Sequence, residues 1–126
     1  MGNQSRVGMT WRRYGKYNAK KVKEDGYVFD SKREYARYGV LKILRNIETI
    51  HSLEVHPRFV LAEKTTNKHG EKIRAITYAP DFKYFDTVEK RWIIEDVKGV
   101  CTEAYKIKKN LFLRTLEANT IFVEIN

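Results

Sequence analysis

Apolar and polar positions follow several distinct rhythms along this chain, and each predicts an element. Tyr35, Ala36, Tyr38, Val40, Leu41, Ile43 and Leu44 recur at helical spacing and predict a helix from near Ser31 to about Asn46. Residues 22–29, centred on Asp25-Gly26, predict a short hairpin. Residues 53–61 predict a strand in which Pro57 marks an edge or a bulge. The polar run 63–71, with Asn67 and His69-Gly70, predicts a turn or flexible loop. Residues 73–85 predict one long strand and Arg91–Val97 another, with Thr87-Val88-Glu89-Lys90 turning between them. Thr102 suits the cap of a second helix, with Glu103 well placed in its first turn. That helix shows a stripe of Ala104, Ile107, Leu111 and Thr115, widened by Phe112 and Leu116, and residues 121–125 predict a last strand. Helix, three strands, helix, strand implies an α/β (α+β) fold with a central mixed sheet flanked by helices.

Composition narrows the class. A chain of 126 residues suits a single core, here residues 22–126 behind an arm over 1–21. Hydrophobic residues at 42% and charged residues at 33% fit a soluble globular protein. No apolar run approaches the ~18 residues that span a bilayer, and MGNQSRVGMT lacks the apolar stretch of a secretion signal. Cys101 is the only cysteine, which excludes an internal disulfide and a cysteine-based zinc site. A reducing, cytoplasmic location is the expectation.

Charge points to the partner. The net charge is +9, and residues 1–33 hold nine Lys or Arg against three acids. Such a field favours polyanions, nucleic acid first. No long basic amphipathic helix with an aromatic face supports a membrane surface instead. Trp11, Tyr14 and Tyr17 are interleaved with Arg12, Arg13, Lys16, Lys20 and Lys21, so rings can stack on bases while cations meet phosphates. A solvated terminus accounts for the arm equally well.

The chemistry sits where two strands meet. With Thr87 to Lys90 as the loop, Phe85 faces Trp92, Asp86 faces Arg91, Asp81 faces Asp96 and Ala79 faces Lys98. Directly opposed residues have Cβ atoms about 5 Å apart on one face, and alternation turns Glu95 and Val97 to the other. Opposed carboxylates repel unless a cation offsets them. Mg²⁺, which prefers one or two carboxylates with water and phosphate oxygens, fits that need, and Lys98 can position or deprotonate a water or stabilise a phosphorane-like transition state. A salt-bridge cluster of Asp81, Lys98 and Asp96 is the structural alternative, and the basic arm tips the balance towards metal.

Glu34 has two readings. Ser31-Lys32-Arg33-Glu34 fits a capping box, while a helix on the sheet can aim Glu34 at the metal. His51, His56 and His69 lack ligand-like spacing and read as surface or turn residues. Glu95, on the opposite face, reads as a partner for Lys or Arg. Lys106 and Lys109, one turn apart, can grip a DNA backbone or simply be solvated.

Phe29-Asp30-Ser31-Lys32-Arg33-Glu34, Tyr78-Ala79-Pro80-Asp81-Phe82, Glu95-Asp96-Val97-Lys98-Gly99 and Thr102-Glu103-Ala104-Tyr105-Lys106 together give the chain a family likeness. It resembles the PD-(D/E)XK nuclease superfamily, and within it the small phage-encoded endonucleases that are Holliday-junction resolvase-like. The resemblance implies a restriction-endonuclease-like αβββαβ core. It assigns Asp81, Asp96 and Glu34 to the metal and Lys98 as the catalytic lysine, with Tyr105 and Lys106 bordering DNA; Lys32 is a further expected DNA contact. The expectation is a Mg²⁺-dependent endodeoxyribonuclease, Mn²⁺ substituting, acting on branched DNA in phage DNA metabolism. For a resolvase, two symmetric cuts imply a homodimer. An inactive DNA-binding module on the same fold, or a nuclease for linear DNA, are the alternatives.

Overall fold

In the computed structural model residues 20–99 and 101–126 are described. The arm expected over 1–21, with Arg12, Arg13 and Lys16, lies outside them apart from Lys20 and Lys21. The contacts of the chain divide it between Ile43 and Leu44 into two units.

In the first unit, β1 (Val22–Glu24) and β2 (Tyr27–Phe29) pair antiparallel with Glu24 opposite Tyr27. Asp25 (φ 55°) and Gly26 (φ 83°) are both left-handed, the geometry that the tight turn of a twisted hairpin requires. Helix α1 (Lys32–Asn46) starts where the sequence predicts, because the Ser31 hydroxyl accepts the Glu34 amide at 3.1 Å. One turn after another it fastens the acidic hairpin. Tyr35 donates to Glu24 at 2.7 Å, Tyr38 donates to Asp25 at 2.7 Å, and Lys42 pairs with both acids. The Phe29 ring, fully buried, packs 4.9 Å from that of Tyr38. Glu34, Tyr38 and Leu41 are the buried helix positions, whereas Val40 and Ile43 are exposed.

The second unit is built on a mixed four-stranded sheet: β3 (Ile50–Val55), β8 (Phe82–Asp86), β9 (Arg91–Val97) and β10 (Thr120–Ile125), in the order β10-β9-β8-β3. Strand β9 runs parallel to β10 and antiparallel to β8, which is antiparallel to β3. Asp86 accepts the Val88 and Glu89 amides at 2.8 and 3.1 Å and so shapes the β8–β9 turn. Trp92 faces Phe85 and Arg91 faces Asp86, the register expected from the turn.

Two expected strands are broken, and each has a break at a proline. The strand expected over 53–61 is β3 followed by β4 (Phe59–Ala62), in different sheets. His56, left-handed at φ 55°, and Pro57, which has no amide to offer a ladder, separate them. The long strand expected over 73–85 is three pieces, β6 (Lys72–Ile73), β7 (Ile76–Tyr78) and β8, the last two parted by buried Pro80. The expected loop 63–71 contains β5 (Thr65–Thr66), which pairs with β6, while β4 pairs with β7.

Helix α2 (Glu103–Arg114) is capped by Thr102, whose hydroxyl accepts the Tyr105 amide at 3.1 Å. Its packing face is rotated from the expected stripe. Phe112 is buried and Tyr105 and Leu116 partly so, against Tyr78, Ile94, Phe59, Leu61 and Phe122, whereas Ile107 is 60% exposed. Lys109 occupies the inward stripe and breaks its apolar rhythm; its half-buried ammonium is taken up by Glu124 at 2.7 Å. On the other face of the sheet, Phe82, Tyr84 and Ile93 are buried. The fold is therefore mixed α+β, and no helix among the described residues is long and apolar enough to cross a membrane.

Candidate functional site

Strand β8 begins where the chain leaves Pro80, and its first neighbour is Asp81. The β8–β9 ladder ends at Phe82 opposite Glu95. Beyond it, the Asp81 amide donates to the Glu95 carbonyl at 3.0 Å, one residue out of step with the ladder. Two residues further along β9, the Val97 amide donates to the Asp81 carboxylate at 2.6 Å. This side chain closes the end of the strand pair as a backbone carbonyl would elsewhere. Asp81 is 9% exposed and Asp96, on the strand it fastens, 5%.

Asp96 and Lys98 are held from two sides. The Lys98 amide donates to the Ile125 carbonyl at 2.8 Å, so the parallel ladder with β10 runs on past Val97. Lys98 Nζ lies 3.3 Å from Asp96 Oδ1 and 3.5 Å from the centre of the Tyr105 ring, and its side chain is 15% exposed. Tyr78, the last residue of β7, donates its hydroxyl to Asp96 Oδ2. Burial, reinforced by that hydrogen bond, pushes the Tyr78 phenol far above the usual tyrosine range, so it remains a donor at neutral pH. Each carboxylate oxygen carries two lone pairs. Asp96 therefore keeps acceptor capacity towards a cation while bonded to Tyr78 and Lys98.

Around Lys98 the polar groups form a chain. Tyr105 donates to Glu124, and Lys109 holds the same carboxylate. Lys109, and then Tyr105, draw the Glu124 carboxyl below its usual range, while burial and the bond to Glu124 raise the Tyr105 phenol. Lys109, expected to grip DNA, thus has a structural partner. Lys106 is exposed and 3.6 Å from Glu103, Lys21 is 3.8 Å from Asp30, and Lys20 and Lys32 are exposed.

The face of Glu95 is opposite that of Asp96, as alternation requires. Glu95 is 1% exposed and accepts the Tyr84 hydroxyl. A tyrosine two strand positions away on the same face thus supplies a hydrogen bond to a buried carboxylate.

His56 is the residue that sequence reasoning passed over. Its amide donates to the Asp81 carbonyl at 2.8 Å, and its ring nitrogen comes within 4.8 Å of an Asp81 carboxylate oxygen. The signal available was its place beside Pro57, where a strand must turn. His51 stacks on Phe85 at 4.9 Å and His69 sits in the Asn67 turn, both as expected. In the first unit, Glu34 is 5% exposed. The cap of α1 is the Ser31 hydroxyl, and capping by a glutamate does not require burial.

A family model described as "Protein of unknown function (DUF1064)" matches residues 14–124, and the chain belongs to that family. No curated protein and no solved structure matches it.

Proposed function

We propose that this member of the DUF1064 family is a metal-dependent DNA endonuclease of the PD-(D/E)XK type, acting on branched or recombining DNA. The observation that carries the reading is Lys98 held 3.3 Å from Asp96 on β9, with Asp81, the residue before β8, fastened to the same strand through the Val97 amide. The succession α1, β3, β8, β9, α2, β10 supports the αβββαβ core of that superfamily.

The chemistry of the donors fits a hard divalent cation, since Asp81 and Asp96 are carboxylates, 9% and 5% exposed. Mg²⁺ or Mn²⁺ there would supply an activated water and screen the scissile phosphate. Asp81 is oriented by the Val97 amide and Asp96 by Tyr78, so neither carboxylate has to reorganise at the moment of reaction. Lys98, restrained by Asp96 and the Tyr105 ring, presents an ammonium to the attacking water or to the charge that develops on the phosphate. Glu34 enters through the resemblance as the first-helix acid and is tested separately by Glu34→Gln. Arg12, Arg13, Lys16, Lys20, Lys21, Lys32 and Lys106 are the proposed backbone contacts, and a homodimer would place two sites for paired cuts.

The test is cleavage of a labelled four-way junction beside matched linear duplex and single strand, in Mg²⁺ or EDTA, with Asp96→Asn and Lys98→Ala as controls. Metal-dependent, symmetric nicking of the junction alone, lost in both variants, is the expected result. Equal cutting of all substrates would remove the junction preference and leave the chemistry. Tight binding without cutting in Mg²⁺ or Mn²⁺ would favour the non-cleaving DNA-binding module.

A further inference from the structure

The two small antiparallel pairs of the second unit are successive parts of one two-stranded ribbon. Phe59, Val60 and Ala62 pair with Tyr78, Thr77 and Ile76, and the same two segments meet again as Thr65 with Ile73 and Thr66 with Lys72. Asn67 orders the far end. Its side-chain oxygen accepts the His69 and Glu71 amides at 2.9 and 3.0 Å, and its side-chain nitrogen donates to Glu71 at 2.8 Å. Gly70, at φ 82°, completes the turn where a side chain would be strained.

Charge is concentrated on the outer half. Residues 64–74 contain Lys64, Lys68, Lys72 and Arg74 against Glu71 alone, and Asn67 already engages that carboxylate. Lys64, Thr65, Thr66, Lys72, Ile73 and Arg74 line a hollow of about 490 Å³. Scattered surface lysines ordinarily serve solubility. Here three cations and two hydroxyls border a single hollow on an ordered ribbon. The inner end of that ribbon is Tyr78, which donates to Asp96.

From this we infer that the ribbon is a DNA-binding arm, with Lys64, Lys72 and Arg74 contacting the sugar–phosphate backbone. The inference rests on the nuclease reading and extends it by assigning a second, internal grip besides the basic amino-terminal segment. At about 3.3 Å per residue, Lys72 stands up to roughly 20 Å along the chain from Tyr78. Phosphates several nucleotides from the site of cutting are thus in reach. A two-stranded ribbon is also narrow enough for a major groove.

Binding of a fluorescent duplex and a four-way junction by the full chain, titrated in EDTA across a KCl series, tests the arm without cleavage. A Lys64→Gln, Lys72→Gln, Arg74→Gln variant should bind about tenfold more weakly or worse, and its log Kd against log salt slope should fall by about 2 to 3. A control removing equal charge elsewhere, Lys23→Gln, Arg45→Gln, Lys90→Gln, should stay within about threefold of wild type. Should the triple variant fail to fold by circular dichroism, Lys72→Gln alone should still lower the slope by about 1. Unchanged affinity and slope in the folded ribbon variants, or equal losses in the control, would overturn the arm while wild-type binding upheld a DNA substrate. A wild-type chain that bound no DNA would overturn both.

Discussion

The Asp81 carboxylate accepts the Val97 amide at 2.6 Å, so one acid of the candidate site is fastened to the strand that carries the other. Structure and chemistry therefore lean on the same side chain and can be separated by substitution. Asp81→Ala leaves the Val97 amide without that acceptor and should cost about 1–3 kcal/mol. Asp81→Asn keeps an oxygen for it and should cost less than about 1 kcal/mol, yet lower cleavage by about a hundredfold or more. Urea unfolding beside junction cleavage reads both, and equal stability losses in the two variants would refute the cap.

Tyr84 and Glu95 should behave as a buried pair. Tyr84→Phe removes a hydrogen bond to a carboxylate that is 1% exposed, and a loss of about 1.5–3 kcal/mol is expected. Adding Glu95→Gln should recover part of it, because the neutral amide is less costly to bury. Additive losses in a double-mutant cycle by chemical denaturation would show that the two do not act together.

Lys98 should matter to cutting and to folding alike. Its side chain is 15% exposed and Asp96 is 5% exposed, so the pair is largely desolvated. Lys98→Met, which takes the ammonium from a buried carboxylate, is expected to cost up to about 3–5 kcal/mol and to lower cleavage by the folded protein by ~10²-fold or more. Lys98→Arg should restore the charge without the proton chemistry and recover little. Full activity in Lys98→Met would end the assignment.

The hairpin clamp gives a pH signature. Lys42 draws the Glu24 carboxyl below its usual range, and the Lys42 ammonium is raised above its own. With a lowered folded value, the Glu24 contribution is complete above the ordinary carboxylate range, near pH 4.3, and is lost as pH falls through the lowered value. The raised Lys42 contribution is present throughout neutral pH and is lost only as pH rises beyond the ordinary lysine range. Lys42→Met should flatten the acid limb of stability between about pH 5 and 2. Parallel curves for variant and wild type in urea midpoints would contradict the clamp.

The sequence exposed the β8–β9 register because a short turn between two apolar runs leaves few ways to count. It exposed both helix starts because Ser31 and Thr102 carry their caps in their own side chains. Where it misled, a polar or imino residue did two jobs. Pro57 and Pro80 end strands whose apolar rhythm continues on both sides. Lys109 lies on an inward stripe because Glu124, 15 residues later, waits for it. His56 was hidden for a related reason: its neighbour Asp81 comes from a distant part of the chain, and no local spacing records it.

The bulge in β3 has a bearing on assembly. Its register with β8 shifts between His51 and Glu54, and Ser52 is left-handed at φ 58°. A kinked outer strand is a poor template for another chain's backbone. Continuation of this sheet from one copy into the next is thereby discouraged on the β3 side, and β10 is left as the border at which two sheets could join without disturbing β8 and β9.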